Sequence, residues 1–293
     1  MNTQHSIIKG EISNENIAFY SEQGYLIAPN TLDAKSIEAL KKEALDIVCG
    51  KRGKLDGAEE NLDNIPPEDI IKKYAAIHFP HKISPLIKET ASHKSVANVL
   101  SKIISPNVKC LQTMLFVKAP GKNGQAWHQD EYFIPTRDKS LTGAWLALED
   151  ANIENGCLWV IPGSHKDGFI RKRVETTNEE FADLEQAYLE PYKESDFLKV
   201  EVKSGSVIYF DGYLLHMSLK NKTTDKFRRA LVSHYCSAES MLPWNQDGRF
   251  KPTDDFRDIF MVSGTDPYEH KGIEDLSIPF VRPDVLDFKN KKA

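Results

Sequence analysis

The sequence predicts an antiparallel β sandwich or jelly roll with helices packed outside one sheet, and three observations lead there. Apolar residues recur at helical spacing through the first third of the chain. After Pro106 they fall instead into short runs rich in β-branched and aromatic residues. Turns containing Gly or Pro separate those runs, and many short strands so divided are the pattern of a sandwich rather than of alternating βα units.

Taken in order, Tyr25-Leu26-Ile27 reads as a short strand following the turn at Gly24. From Leu32 onward, Ile37, Leu40, Ala44, Ile47 and Val48 mark a helix, with Asp33 as its N-cap and Gly50 as its stop. Residues 51–67, rich in Gly, Asp, Asn and Pro, read as a mobile loop or lid. A helical pair over 83–104 is carried by Leu86, Ile87, Val96, Val99, Leu100 and Ile103. Strands are expected at 108–117, 141–148, 157–161, 198–202, 206–210 and 227–235, bounded by turns at 119–121, 154–156, 162–164 and 203–205. Between them, 167–196 is polar and charged and reads as a helical insertion beside the sandwich mouth. The expectation is a single domain over 1–293: a mainly helical part (12–104), a β core (105–240) and a C-terminal extension (241–293).

Composition excludes more than it selects. Of 293 residues, 40% are hydrophobic and 28% charged, which argues against disorder and against a membrane protein. A net charge of -5 supplies no broad basic surface, so nucleic acid is not an expected partner. Cys49, Cys110, Cys157 and Cys236 are scattered without C-x-x-C spacing and read as buried thiols in a reducing compartment. No apolar stretch of signal-peptide or membrane-span length is present, so a cytoplasmic location is expected.

The informative spot is Trp127-His128-Gln129-Asp130. Residues two apart on a strand point the same way, so His128 and Asp130 can aim an imidazole and a carboxylate at one point. A third ligand must come from afar, and His216, at the end of the run Val207 to Phe210 and its turn, can supply it in a jelly roll. Two histidines and a carboxylate on one face of a metal leave three positions open, the arrangement that non-haem Fe(II) oxygenases use. A 2-oxo acid filling two of them carries a distal carboxylate that needs a cation with bidentate reach. Arg228 lies 12 residues beyond His216 on the next strand-like run, and Ser218 can add a hydroxyl. Strand parity cannot separate Arg228 from Arg229, because the core face is not readable from alternation alone.

From Thr113 to Cys236 the chain resembles the phytanoyl-CoA dioxygenase family. The likeness is carried by Thr113-Met114-Leu115, Trp127-His128-Gln129-Asp130, the run Gly143 to Asp150, Asn155-Gly156-Cys157-Leu158, Ile161-Pro162-Gly163-Ser164-His165-Lys166 and Phe227-Arg228-Arg229-Ala230. Ser21 to Leu26 is similar to the family's opening segment. The resemblance implies a double-stranded β-helix (cupin-like jelly roll) and Fe(II) at His128, Asp130 and His216. It also implies 2-oxoglutarate held by Arg228 and Ser218, with Met114 and Trp145 lining its pocket, and it decides for Arg228 over Arg229. Related halogenases lack the carboxylate, so Asp130 points to hydroxylation. Two departures stand out: where members place a lysine toward the co-substrate this chain reads Tyr74-Ala75-Ala76-Ile77-His78, leaving His78 as its substitute, and the His-to-Arg interval is one residue longer, placing an insertion near 222–225.

His78, Gln112 and Gln129 are candidate contacts for substrate or co-substrate. His165 reads as structural, His234 as a satisfied core histidine, Trp159 and Phe210 as core, and Arg171-Lys172-Arg173 as a solvated face. The reading is a hydroxylase that uses Fe(II), 2-oxoglutarate and dioxygen, with ascorbate as reductant in vitro. Its substrate would be a small organic molecule: an acyl thioester, an amino-acid derivative or a secondary metabolite. No catalytic side chain is expected beyond the metal centre. Rivals are a metal-dependent isomerase or hydrolase on the same barrel and a non-enzymatic ligand-binding jelly roll.

Overall fold

The computed structural model describes residues 5–59, 62, 64–136, 138–240, 259–271 and 278–284. Helices are α1 (Asn14–Gln23), α2 (Ala34–Val48), α3 (Pro67–Ile71), α4 (Pro85–Ala91) and α5 (Lys94–Ile103). Strands are β1 (Tyr25–Ala28), β2 (Tyr74–His78), β3 (Val108–Lys118), β4 (Gln125–His128), β5 (Thr142–Ala147), β6 (Leu158–Val160) and β7 (Arg173–Glu175). They continue as β8 (Glu185–Ala187), β9 (Leu198–Val200), β10 (Val207–Asp211), β11 (His216–Ser218), β12 (Arg228–Ser237), β13 (Phe260–Ser263) and β14 (Phe280–Pro283).

Local chemistry sets the entry elements. The Asp33 side chain accepts from Ser36 N at 2.8 Å and caps α2, which buries Ile37, Leu40, Ala44, Ile47 and Val48 on one face. Gly24 ends α1 in the left-handed region at φ 80°, and a Cβ there would lie 2.5 Å from His165 Nδ1, so only glycine turns this corner into β1.

A large sheet runs β1-β10-β5-β12-β3-β2-β14, with β13 also pairing β3, and a small one runs β4-β11-β6-β9. Alternation sorts the large sheet's two faces. Leu115, Val117, Leu146, Tyr209 and Leu231 turn outward into a core shared with the helices. Trp145, Ile208, Phe210, Ala230 and Val232 turn inward, toward the small sheet. A bulge at the His234/Tyr235 step of the β12–β3 ladder leaves Leu111 as the extra residue beside Gln112. This is the double-stranded β-helix that the sequence leads one to expect.

Two expectations need correction. Residues 167–196 hold no α-helix: β7 and β8 pair with each other, and a 3-10 turn occupies Glu194–Asp196. The segment's backbone bonds outward instead, with Gly124 N donating to Glu180 O and Ala182 N to Gly124 O, which extended chain allows and helix does not. Nor is Arg171-Lys172-Arg173 a shared solvated face, since Arg171 is buried against Asp167 and the Tyr188 and Glu190 carbonyls. The loop 51–67 places Leu55 in the core and Arg52 on Glu43, while residues 60, 61 and 63 lie outside the described residues. Within the 241–293 extension, β13 and β14 complete the large sheet, β14 beside β2.

Candidate metal and co-substrate site

His128 ends β4 and His216 begins β11, and the two are cross-strand partners, so their rings face the sandwich interior with centroids 4.1 Å apart. The chain stays extended through Gln129 and then enters a 3-10 turn at Asp130. That brings Asp130 Oδ1 to 3.5 Å from His128 Nε2 and 3.6 Å from His216 Nε2. All three ligand atoms lie within 4.8 Å of one another and the residues are buried.

The tautomers suit a cation. Nδ1–H of His128 donates to Ala126 O at 2.7 Å and Nδ1–H of His216 to Leu214 O at 2.9 Å, which leaves each Nε2 lone pair aimed at the shared point. Burial and then the neighbouring His216 push His128 down to about 3, against the pull of Asp130, so the ring is neutral. Burial alone would raise Asp130, but His216 and His234 outweigh it and hold the carboxyl below its usual range. One residue behind the site was not legible as part of it. His234 Nε2–H donates to Asp130 Oδ2 at 2.8 Å, and its Nδ1 accepts from Gln112 Nε2 at 3.2 Å, a chain that fixes both the ring and the carboxylate. His234 is satisfied, as the sequence suggests, and its partner is a metal-ligand candidate.

These residues line a cavity of about 390 Å³ between the sheets. Arg228, at the start of β12, faces it with 4% of its surface exposed, stacks over Trp145 at 5.3 Å and makes no ion pair among the described residues; its Nε has no hydrogen-bond partner. Burial lowers the guanidinium to about 10, so it stays charged. Arg229 turns the other way and closes on Glu149 at 2.5 Å. Ser218 Oγ accepts from Lys118 Nζ at 2.8 Å and from Gln125 N at 3.4 Å, freeing its hydroxyl proton for a ligand. Lys118, the cross-strand partner of Arg228, has no sequence pattern that marks it; burial and then Arg228 hold its ammonium well below the usual range.

Of the other residues singled out, Met114, Trp145, His78 and Gln112 line the cavity. Gln112 uses its amide N–H groups on His234 and Met114 Sδ. Gln129 does not face the cavity: its amide donates to Phe169 O and Tyr213 O and accepts from Arg171 N, because strand alternation turns it opposite His128 and Asp130. His165 Nε2 bonds Ser21 O beneath α1. Phe210, read as core, also packs its ring 4.7 Å from that of His216.

The model of the phytanoyl-CoA dioxygenase (PhyH) family matches residues 20–230. The chain belongs to the phytanoyl-CoA dioxygenase family. Phytanoyl-CoA dioxygenase 1 of Oryza sativa subsp. japonica is 29% identical over 259 residues, covering 78% of this chain and 91% of that protein. Phytanoyl-CoA dioxygenase domain-containing protein 1 of Bos taurus is 34% identical over 193 residues, 64% of this chain and 65% of that one. Among solved structures, the non-heme alpha ketoglutarate dependent carbocyclase SnoK of nogalamycin biosynthesis is 24% identical with a TM-score of 0.64, over 87% of this chain and 100% of that one. The non-heme monooxygenase ThoJ is 18% identical with a TM-score of 0.65, over 94% and 93%. At those identities the two structures speak for the fold. No helix among the described residues is long and apolar enough to cross a membrane.

Proposed function

We propose that this family member is an Fe(II)- and 2-oxoglutarate-dependent oxygenase that hydroxylates a C–H bond of a small organic substrate. The observation that carries the reading is a buried guanidinium, Arg228, with no ion pair among the described residues, sharing one cavity with three convergent candidate metal-ligand atoms. A buried charge without a partner is costly, and a bound carboxylate would offset that cost.

The residues fit the group they would hold. His128, Asp130 and His216 would bind iron on one face, and Arg228 with the Ser218 hydroxyl would take the far carboxylate of the 2-oxo acid. Iron with the 2-oxo acid and dioxygen supplies a two-electron oxidation of a C–H bond, with release of succinate and CO2. The protein's part is positional. The Ala126 and Leu214 carbonyls fix the tautomer of both imidazoles and aim them, His234 holds Asp130 against rotation, and Trp145, Met114 and Phe210 keep water from the centre. No side chain is needed as acid or base. One solved relative by fold is described as an epimerase and another as a carbocyclase, so product identity and not fold decides for hydroxylation.

Succinate formation from 2-oxoglutarate with Fe(II), ascorbate and air tests the class, and a substrate product heavier by one oxygen atom tests hydroxylation. His128→Ala should abolish succinate formation while leaving the thermal melt in place, and Arg228→Ala should raise the 2-oxoglutarate requirement by about tenfold or more. Retention of metal without any decarboxylation of 2-oxoglutarate would turn the reading toward an isomerase or hydrolase, and failure to retain metal toward a binding module.

A further inference from the structure

One wall of the cavity carries polar atoms that the proposed reaction does not use. It is built by β14, which pairs with β2 so that Phe280 lies opposite His78 and Arg282 opposite Ala76. Phe280 and Arg282 are two apart and face the cavity, whereas Val281 between them enters the core on the other side. The Phe280 ring lies flat on His78, with centroids 4.3 Å apart at 8°. Arg282 leans inward over Phe116 of β3, its guanidinium 5.6 Å from the ring centre.

His78 Nε2 and Arg282 Nε are both buried and have no hydrogen-bond partner among the described residues. Burial, then Arg282 and His234, pushes His78 down to about 4, so the ring is neutral and has a nitrogen available to a ligand. Burial also lowers Arg282; Asp183 and Asp284 are the carboxylates that act against this, and neither forms an ion pair with it. Asp183 accepts from Ala126 N, and Asp284 pairs with Lys122. Among the described residues Arg282 is thus a second arginine on the cavity without an ion pair, resting on Phe116 where Arg228 rests on Trp145. In the sheet its strand stands three places from that of Arg228, about 14 Å at the usual strand spacing. A 2-oxo diacid chelating the metal has only one carboxylate left, and one arginine suffices for it.

We propose that Arg282 and His78 bind an anionic group of the substrate that is oxidised, with Phe280 and Phe116 packing its apolar or planar body. The proposal rests on the oxygenase reading, in which Arg228 serves the co-substrate. By register, His78 lies one side-chain step along the sheet from the Gln112–His234 pair that braces Asp130, and Arg282 lies one step further. The reacting carbon therefore sits several bonds from the anion. A carboxylate of a free acid and a phosphate of a carrier thioester both supply this chemistry, and direct binding separates them.

The test is calorimetric titration of Ni(II)-loaded protein saturated with 2-oxoglutarate, using octanoate against octanol, 3-phenylpropionate against 3-phenylpropanol, and octanoyl-coenzyme A. An anion should bind about tenfold or more tightly than its alcohol, and Arg282→Gln should erase that preference while 2-oxoglutarate affinity, titrated separately, stays unchanged. Arg282→Lys, which keeps the charge, should retain part of the preference. Preference for the free acids assigns a carboxylate, and preference for the thioester alone assigns a phosphate. An anion preference that survives in Arg282→Gln, or no anion preference in the unmodified protein, overturns the proposal. So does loss of 2-oxoglutarate affinity in Arg282→Gln, which would assign Arg282 to the co-substrate. Failure of the unmodified protein to bind 2-oxoglutarate is the separate failure of the oxygenase reading, and this proposal falls with it.

Discussion

Replacing His234 by leucine tests the buried chain that ends on the metal-ligand candidate Asp130. The bond removed, His234 Nε2–H to Asp130 Oδ2 at 2.8 Å, is donated to a charged acceptor and contributes about 1.5–3 kcal/mol. Two effects oppose each other. Losing the donor makes the carboxylate more basic, which favours a cation, but it also frees Asp130 to rotate and leaves a buried oxygen unsatisfied. The second effect should dominate, because Asp130 is only 8% exposed and water cannot take the donor's place. At about 1.4 kcal/mol per factor of ten, metal affinity should fall by about 10- to 100-fold. Gln112→Leu removes only a neutral bond to His234 Nδ1, about 0.5–1.5 kcal/mol, and should cost about 2- to 10-fold. Competition between the protein and a fluorescent chelator for Ni(II) or Co(II) measures both, with circular dichroism melts reporting the fold. Unchanged affinity in His234→Leu, or a larger loss in Gln112→Leu than in His234→Leu, would refute the account.

Arg229→Ala breaks the largely buried pair with Glu149 on the helix-side face, so it should lower stability by about 1.5–3 kcal/mol and leave 2-oxoglutarate binding intact, in contrast to Arg228→Ala; titration of the two variants side by side decides. His78 has a folded pKa of about 4, below its usual 6.5, so the stability it contributes is present above about 6.5 and lost as pH falls toward 4. His78→Phe, which keeps the stack on Phe280, should flatten the fall in melting temperature across that window, by about 2–4 °C for each ~1 kcal/mol; a slope equal to that of the parent would refute the attribution. A Cβ on Gly124 would stand 1.7 Å from Ser218 O, a backbone atom that cannot swing away. Gly124→Ala should therefore destabilise by about 1–3 kcal/mol in urea melts and weaken 2-oxoglutarate binding through the displaced Ser218; wild-type values for both would show that the strands part freely here.

Much of the fold is carried by local pattern. Asp33 capping α2, the turn at Gly24 and the strand runs after Pro106 need only neighbours in sequence, so each was legible. Residues 167–196 were not, because a polar stretch with little periodicity takes its shape from partners such as Gly124 and Gln129 that sequence spacing does not reveal. The strands β2, β11, β13 and β14 are short, and their stability comes from the sheet they join rather than from their own composition.

The sequence by itself determined the chemistry that could be present: two histidines, an aspartate and an arginine, in a spacing that resembles one family. Tertiary structure decided what faces what. Alternation says that Arg228 and Arg229 point opposite ways, but only the packing of the helices on the other face says which is inside. Likewise, His234 and Arg282 lie about a hundred and about a hundred and fifty residues from Asp130, and only the register across β12, β3, β2 and β14 sets them around its cavity. The physical reason is that a strand fixes the direction of a side chain, while the sheet fixes its neighbours.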